Sequence, residues 1–214
     1  VAGLGALLHL LVIAPLLSAP PINQLLATGG VLFVLQSFAT VAFGIDFRNL
    51  GIRMPVLKFA EMHFSYSRLL AFAAALIGML LVYFFMKKTF VGTAIRAISQ
   101  DRQIMALMGV DTRRIYLITS ALGGALAGLA ACLLVLQYDI HPFVGLSFGP
   151  ITFLICVLGG LGNFVGGFVA AFVFAEIISL GGLFSDLEWG YVLAFAFFIV
   201  MMFIRPAGLL ARRS

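Results

Sequence analysis

The fold class this sequence predicts is all-α: a polytopic transmembrane helical bundle of about six to seven spans, with one amphipathic helix outside the bilayer. Three observations predict it. Of the 214 residues, 63% are hydrophobic and only 10% charged, against roughly 45–50% and about 25% in soluble domains. A soluble fold of this size has no interior large enough to hide so much apolar surface, so the solvent is largely lipid. Apolar runs near the ~20 residues that a helix needs to cross a bilayer recur along the chain. Finally, one stretch stands apart: GTAIRAISQDRQIMALMGVDTRR, Gly92 to Arg114, holds four arginines and two aspartates on a helical period. The net charge of +5 and pI of about 9.6 fit the basic loops of a membrane protein and do not call for nucleic acid as a partner.

Taken in order, residues 1–17 form a first span, closed by the Ala19-Pro20-Pro21 turn. Residues 22–43 form the second and 69–86 the third, with a loop over 44–68 between them. The charged insert runs from Lys87 to Arg114. Spans follow at 115–137, 145–161, 164–181 and 190–204, and the chain closes in RPAGLLARRS. The GGLGNF link at 159–164 leaves two readings of the fifth and sixth segments, two full spans or a re-entrant broken helix, because glycines both let helices approach and break them. Residues 1–214 read as a single transmembrane domain. Lysines and arginines favour the cytoplasmic side. The insert holds six and the C-terminal tail three, against four in loop 44–68, which places the insert and tail inside and loop 44–68 outside.

Within the insert, residues 93–108 have helical periodicity, with Ile95, Ile98, Met105 and Met108 near one face and Arg96, Asp101 and Arg102 elsewhere around the turn. Gly109 stands where a helix end favours positive φ, and Thr112 or Asp111 can cap the next span. Two readings stand: a surface helix whose arginines rest among lipid headgroups, or a docking helix whose apolar face enters a groove on a cytoplasmic partner.

Small residues repeat every fourth position at Ser120, Gly124, Gly128 and Cys132, and again at Gly162, Gly166 and Ala170. Such seams let helix backbones come close in lipid, as fixed packing or as a sliding surface. Gln36 and Thr40 share a face of the second span, and Glu176 lies in the sixth. Each is either an interhelical or interfacial group or part of a transport pathway. Gln137 and Asp139 fall at the outer mouth. Cys132 and Cys156 read as packing residues, and His9, His63 and His141 make no metal spacing. There is no phosphate-binding GxxxxGK[ST] motif, so a transport cycle draws its energy from another subunit or an ion gradient. Few intramembrane carboxylates argue against ion coupling. The absence of a nucleophile–base pair or metal set argues against an intramembrane enzyme, and a non-transporting scaffold is the remaining rival.

The insert carries a resemblance. Gly92, Arg96, Ala97, Asp101, Ala106, Gly109, Val110 and Asp111 follow, with one position of slack, the cytoplasmic loop of the branched-chain amino acid permeases of bacterial ABC importers. APPINQLLATGGVLFVLQ, VLGGLGNFVGGFVAAFVFAEI and RPAGLL are similar to other stretches of that family, in the same order. Asn163-Phe164-Val165 stands where members commonly have serine and often proline. The resemblance implies a permease subunit in the bacterial inner membrane, with no cofactor of its own. Its partners would be ABC ATPase subunits, a second permease subunit, an external substrate-binding protein and the lipid bilayer. Gly92, Arg96, Ala97, Asp101, Ala106, Gly109 and Val110 would form the contact with the ATPase. Members extend about one more span upstream, so the resemblance also implies an N-terminally incomplete chain. Permeases for urea or short amides look alike, and substrate is not legible in these motifs.

Overall fold

The computed structural model describes residues 1–17, 19–49, 56–59, 62–160, 163–184, 187–205 and 208. Its contacts divide the chain into two compact units, Val1–Pro142 and Phe143–Ser214.

The first unit opens with α1, Ala2–Leu16. Pro15 has no N–H and its ring crowds the carbonyl one turn back. The helix widens to a π turn over His9–Ile13 just before it, with the Ala14 N–H bonding to His9 O, five residues back. A short link leads to α2, Pro21–Phe43, which has proline at its first position, where a missing N–H costs nothing. Gln24 Nε2 donates to Leu16 O at 3.0 Å and to Ala19 O at 3.2 Å, tying the start of α2 to the end of α1 and the link that follows it. The 23 residues of α2 rise about 35 Å, enough for a hydrocarbon core of about 30 Å.

An antiparallel hairpin follows, β1 (Val56–Phe59) pairing with β2 (Met62–Ser65) in the register Val56 opposite Ser65 and Phe59 opposite Met62. This hairpin is the one departure from an all-α fold among the described residues. Next come α3 (Tyr66–Lys88), α4 (Phe90–Gln100), α5 (Arg102–Leu107) and α6 (Thr112–Val135).

The small-residue seam of α6 packs against α1. A Cβ added to Gly5 would lie 2.5 Å from Ser120 O, one on Gly124 would lie 3.0 Å from the Gly5 Cα, and one on Gly128 would meet Val1 at 2.8 Å. Cys132, a turn further on, is exposed and takes no part. His9 is buried in this interface, where Nδ1 lies 3.1 Å from Ser120 Oγ and the ring faces Tyr116.

The second unit holds α7 (Val144–Gly159), α8 (Phe164–Phe184) and α9 (Leu187–Ile204). Leu154, Leu158, Ala170, Phe174 and Ala194 form its core, with Phe174 edge-on to Phe197 at 6.1 Å. Gly166 of the second seam meets the Gly159 carbonyl, and Ala170 is fully buried; Gly162 lies outside the described residues. At the other end of α8, a Cβ on Gly181 would lie 2.5 Å from the Gly190 Cα. The α7–α8 turn passes through Gly160 at φ +89°, and Asn163 Oδ1 accepts from Gly166 N at 3.0 Å. Asparagine therefore supplies the helix cap where the resembling family commonly has serine.

Among the described residues, four helices are long and apolar enough to cross a membrane: Ile22–Phe43, Tyr66–Lys88, Thr112–Val135 and Phe164–Leu183. Ala2–Leu16, Val144–Gly159 and Glu188–Ile204 are shorter apolar helices. The segment read at 145–161 is one unbroken helix of 16 residues, despite Pro150. It rises about 24 Å, short of the hydrocarbon core.

Candidate functional site

The charged insert folds as a surface structure tied to two spans. A single residue, Thr89, separates α3 from α4, and its hydroxyl stitches them. Thr89 Oγ1 donates to Phe85 O at 2.7 Å and accepts from Gly92 N at 3.0 Å. Gly92 is buried at the same junction, where a Cβ would lie 2.5 Å from the Met86 Cα. Sequence reasoning missed Thr89; its signal was a threonine three residues before a glycine at a helix start. On its inner side α4 sets Ala94 and Ile98 against Ile115 of α6, with Val91, Ile95, Met105, Val110 and Tyr116 around them.

The helix expected over 93–108 is two helices. Asp101 leaves the helical region at φ −151° and ψ 109°, and its Oδ1 accepts from Ile104 N at 3.0 Å. The short carboxylate offers the backbone a cap in place of a continued helix, and the turn breaks there. At the far end, Gly109 takes φ +80° and Val110 N donates to Met105 O at 3.3 Å, the six-to-one bond of a Schellman close. Open space surrounds a Cβ at Gly109, so glycine is there for its φ and not for room. Asp111, not Thr112, caps α6: its Oδ1 accepts from Arg114 N at 3.2 Å, and its other oxygen pairs with Arg114 Nε at 2.9 Å.

These turns sort the residues of the insert. Gly92 is buried and Val110 half-buried, both in internal packing, and Ala97 is half-buried. Arg96, Asp101 and Gly109 are exposed. Ala106 lies in α5, its side chain outside the described set. The face expected to enter a partner's groove is instead turned inward at Ile95, Ile98 and Met105, because α4 must cover the start of α6. Outward apolar residues among those described are Phe90 at the start of α4 and Ile104, Leu107 and Met108 around α5, the last three at 55%, 88% and 75% exposure.

The polar residues of the spans fall in both units, Gln36 and Thr40 in the first and Glu176 in the second. Thr40 Oγ1 donates to Gln36 O at 2.9 Å within α2, so its hydroxyl serves its own helix. Gln36 is half-exposed beside it. Glu176 is exposed on α8, while Ala170 and Phe174 of that helix are fully buried.

Residues 1–202 match the family profile of the branched-chain amino acid transport system permease component. This chain belongs to that family. It is 30% identical to LivH, a high-affinity branched-chain amino acid transport system permease protein of Escherichia coli, over 64% of the chain and 44% of LivH. It is 32% identical to the corresponding BraD of Pseudomonas aeruginosa, over 69% of the chain and 48% of BraD. A probable LivH of Methanocaldococcus jannaschii is 27% identical over 74% of the chain and 54% of that protein. The chain thus spans about half the length of the curated relatives it matches. No solved structure matches it. Its relatives are transport permeases, not enzymes. With four helices of spanning length and composition, this family member is a multi-pass membrane protein.

Proposed function

We propose that the chain is part of the permease subunit of a bacterial ABC importer that moves branched-chain amino acids across the inner membrane. The observation that carries this reading is the α4–α5 surface element. It is fixed to α3 through Thr89 and Gly92 and to α6 through Ile98, Ile115 and Asp111, while Arg96, Asp101, Ile104, Leu107 and Met108 point outward. Exposed charges beside exposed aliphatic side chains suit a protein partner that reads both register and apolar contact. A push on that face reaches two spans through the Thr89 junction and the packing of Ile98 on Ile115. The partner is a pair of ATPase subunits, as the resemblance to the permeases of ABC importers implies. A second permease subunit and an external binding protein complete the assembly, and residues 1–214 act within a single transmembrane permease domain. Residues 87–114 and the tail are cytoplasmic. Glu176 borders the pathway, because an ionisable group facing away from its own core must meet water or a partner rather than lipid; Gln36 and Thr40, polar groups on one face of α2, are the pathway candidates of the first unit.

The test is ATP-dependent uptake into liposomes by the complete transporter containing this chain, with labelled leucine against labelled urea. Leucine uptake that requires the binding protein supports the reading. Urea uptake without leucine uptake overturns the substrate, and uptake of neither overturns the importer.

A further inference from the structure

At the opposite end of the first unit from α4, two loops distant in sequence are clamped together. Arg48 and Ile140 exchange both backbone hydrogen bonds at 2.9 Å. Asn49 Nδ2 donates to Asp139 Oδ1 at 2.6 Å, and Phe47 packs on the His141 ring at 4.8 Å. Beside the clamp lies an open cleft of about 240 Å³ lined by Phe43, Asp46, Arg48, Ile140, His141 and Pro142. That is a little below the ~300–1,000 Å³ of sites for drug-sized ligands, which suits a smaller molecule.

The charges here are arranged unusually. Asp46 and Arg48 border one cavity, two residues apart, yet they do not pair. The Arg48 Nη2 donates instead to Phe43 O at 2.8 Å, which fixes the guanidinium. The Asp46 carboxylate has no cation among the described residues. A held cation, an anion with no cationic partner among the described residues and apolar side chains lining the same cleft complement a small molecule with an ammonium, a carboxylate and an aliphatic side chain.

We propose that this clamped vestibule is a binding subsite for a free aliphatic amino acid, with Asp46 receiving the α-ammonium, Arg48 the carboxylate, and Phe43, Ile140 and Pro142 the side chain. The proposal rests on the importer reading, which puts this end of the unit on the outer face, where substrate enters.

The experiment uses the complete transporter in lipid nanodiscs without its binding protein, and saturation-transfer NMR with three probes. Leucine carries both charges, 3-methylbutylamine only the ammonium, and 4-methylpentanoate only the carboxylate. In the wild type all three bind. D46N weakens leucine and the amine by about tenfold and spares the acid, and R48Q does the reverse, as expected for loss of one charge-assisted contact. Both variants keep the backbone clamp. Equal effects on all three probes, or none, overturn the subsite, as does a wild type that binds no leucine. Leucine uptake measured on the same preparations separates the two ideas. A transporter that imports leucine without the charge-selective losses overturns the subsite alone. One that imports no leucine overturns the substrate reading beneath it.

Discussion

Asp101 does two jobs that substitutions separate. It caps α5 through Ile104 N, and it presents a carboxylate to solvent. Asparagine caps about as well as aspartate, whereas alanine costs about 1 kcal/mol. D101A is therefore expected to lower the thermal midpoint of the purified transporter. D101N is expected to leave the midpoint unchanged and to weaken only what depends on the charge, which a pull-down of the ATPase reads. Gly109 makes a second case. Its φ of +80° is disfavoured for any residue with a Cβ by about 1–2 kcal/mol. G109A should loosen the α5–α6 turn even though nothing stands in the way of the methyl group, and hydrogen exchange at Val110 is the measurement.

At the scale of elements, both units have close helix approaches made at glycine, Gly5 to Gly124 in the first and Gly159 to Gly166 and Gly181 to Gly190 in the second. In α8, Gly166 meets the Gly159 carbonyl, whereas a Cβ on its neighbour Gly167 would have open space. G166A should destabilise the second unit by roughly 1–3 kcal/mol, the usual range for overpacking. G167A should change little, and comparing their thermal unfolding checks the pair. Much of this was legible beforehand. Spans could be placed because lipid imposes a length and a composition, and the seam of Ser120, Gly124 and Gly128 because small residues every fourth position fall on one helix face. Cys132 shared that spacing but not the contact, since spacing alone does not say where the neighbouring helix ends. The break at Asp101 was hidden for a different reason. The hydrophobic period continues across it, and an aspartate is as consistent with a helix surface as with a cap. The 56–65 hairpin was hidden inside a loop reading by the same lack of a distinguishing period.

For the whole molecule, the docking surface is where sequence and structure part most usefully. Periodicity finds an apolar face but not what covers it. Here α6 covers Ile98 and Met105, leaving Ile104, Leu107 and Met108 outward. A cysteine at Leu107 should therefore crosslink to the ATPase in the assembled transporter, with a yield that changes on ATP binding. A cysteine at Ile98, buried against Ile115, should crosslink poorly in either state. The loop clamp at the other end joins residues remote in sequence through backbone groups, so no side-chain pattern announces it.

The most direct test of the account is initial ATP-dependent leucine uptake by the reconstituted transporter, wild type against R96E, at matched membrane insertion. Arg96 is exposed on α4, and among the described residues its side chain makes one long contact, to Thr93 Oγ1 at 3.5 Å, so reversing its charge leaves the fold intact. The account predicts that R96E lowers uptake at least about tenfold, the loss of one charge-assisted contact with the ATPase. Uptake by R96E equal to the wild type would contradict it.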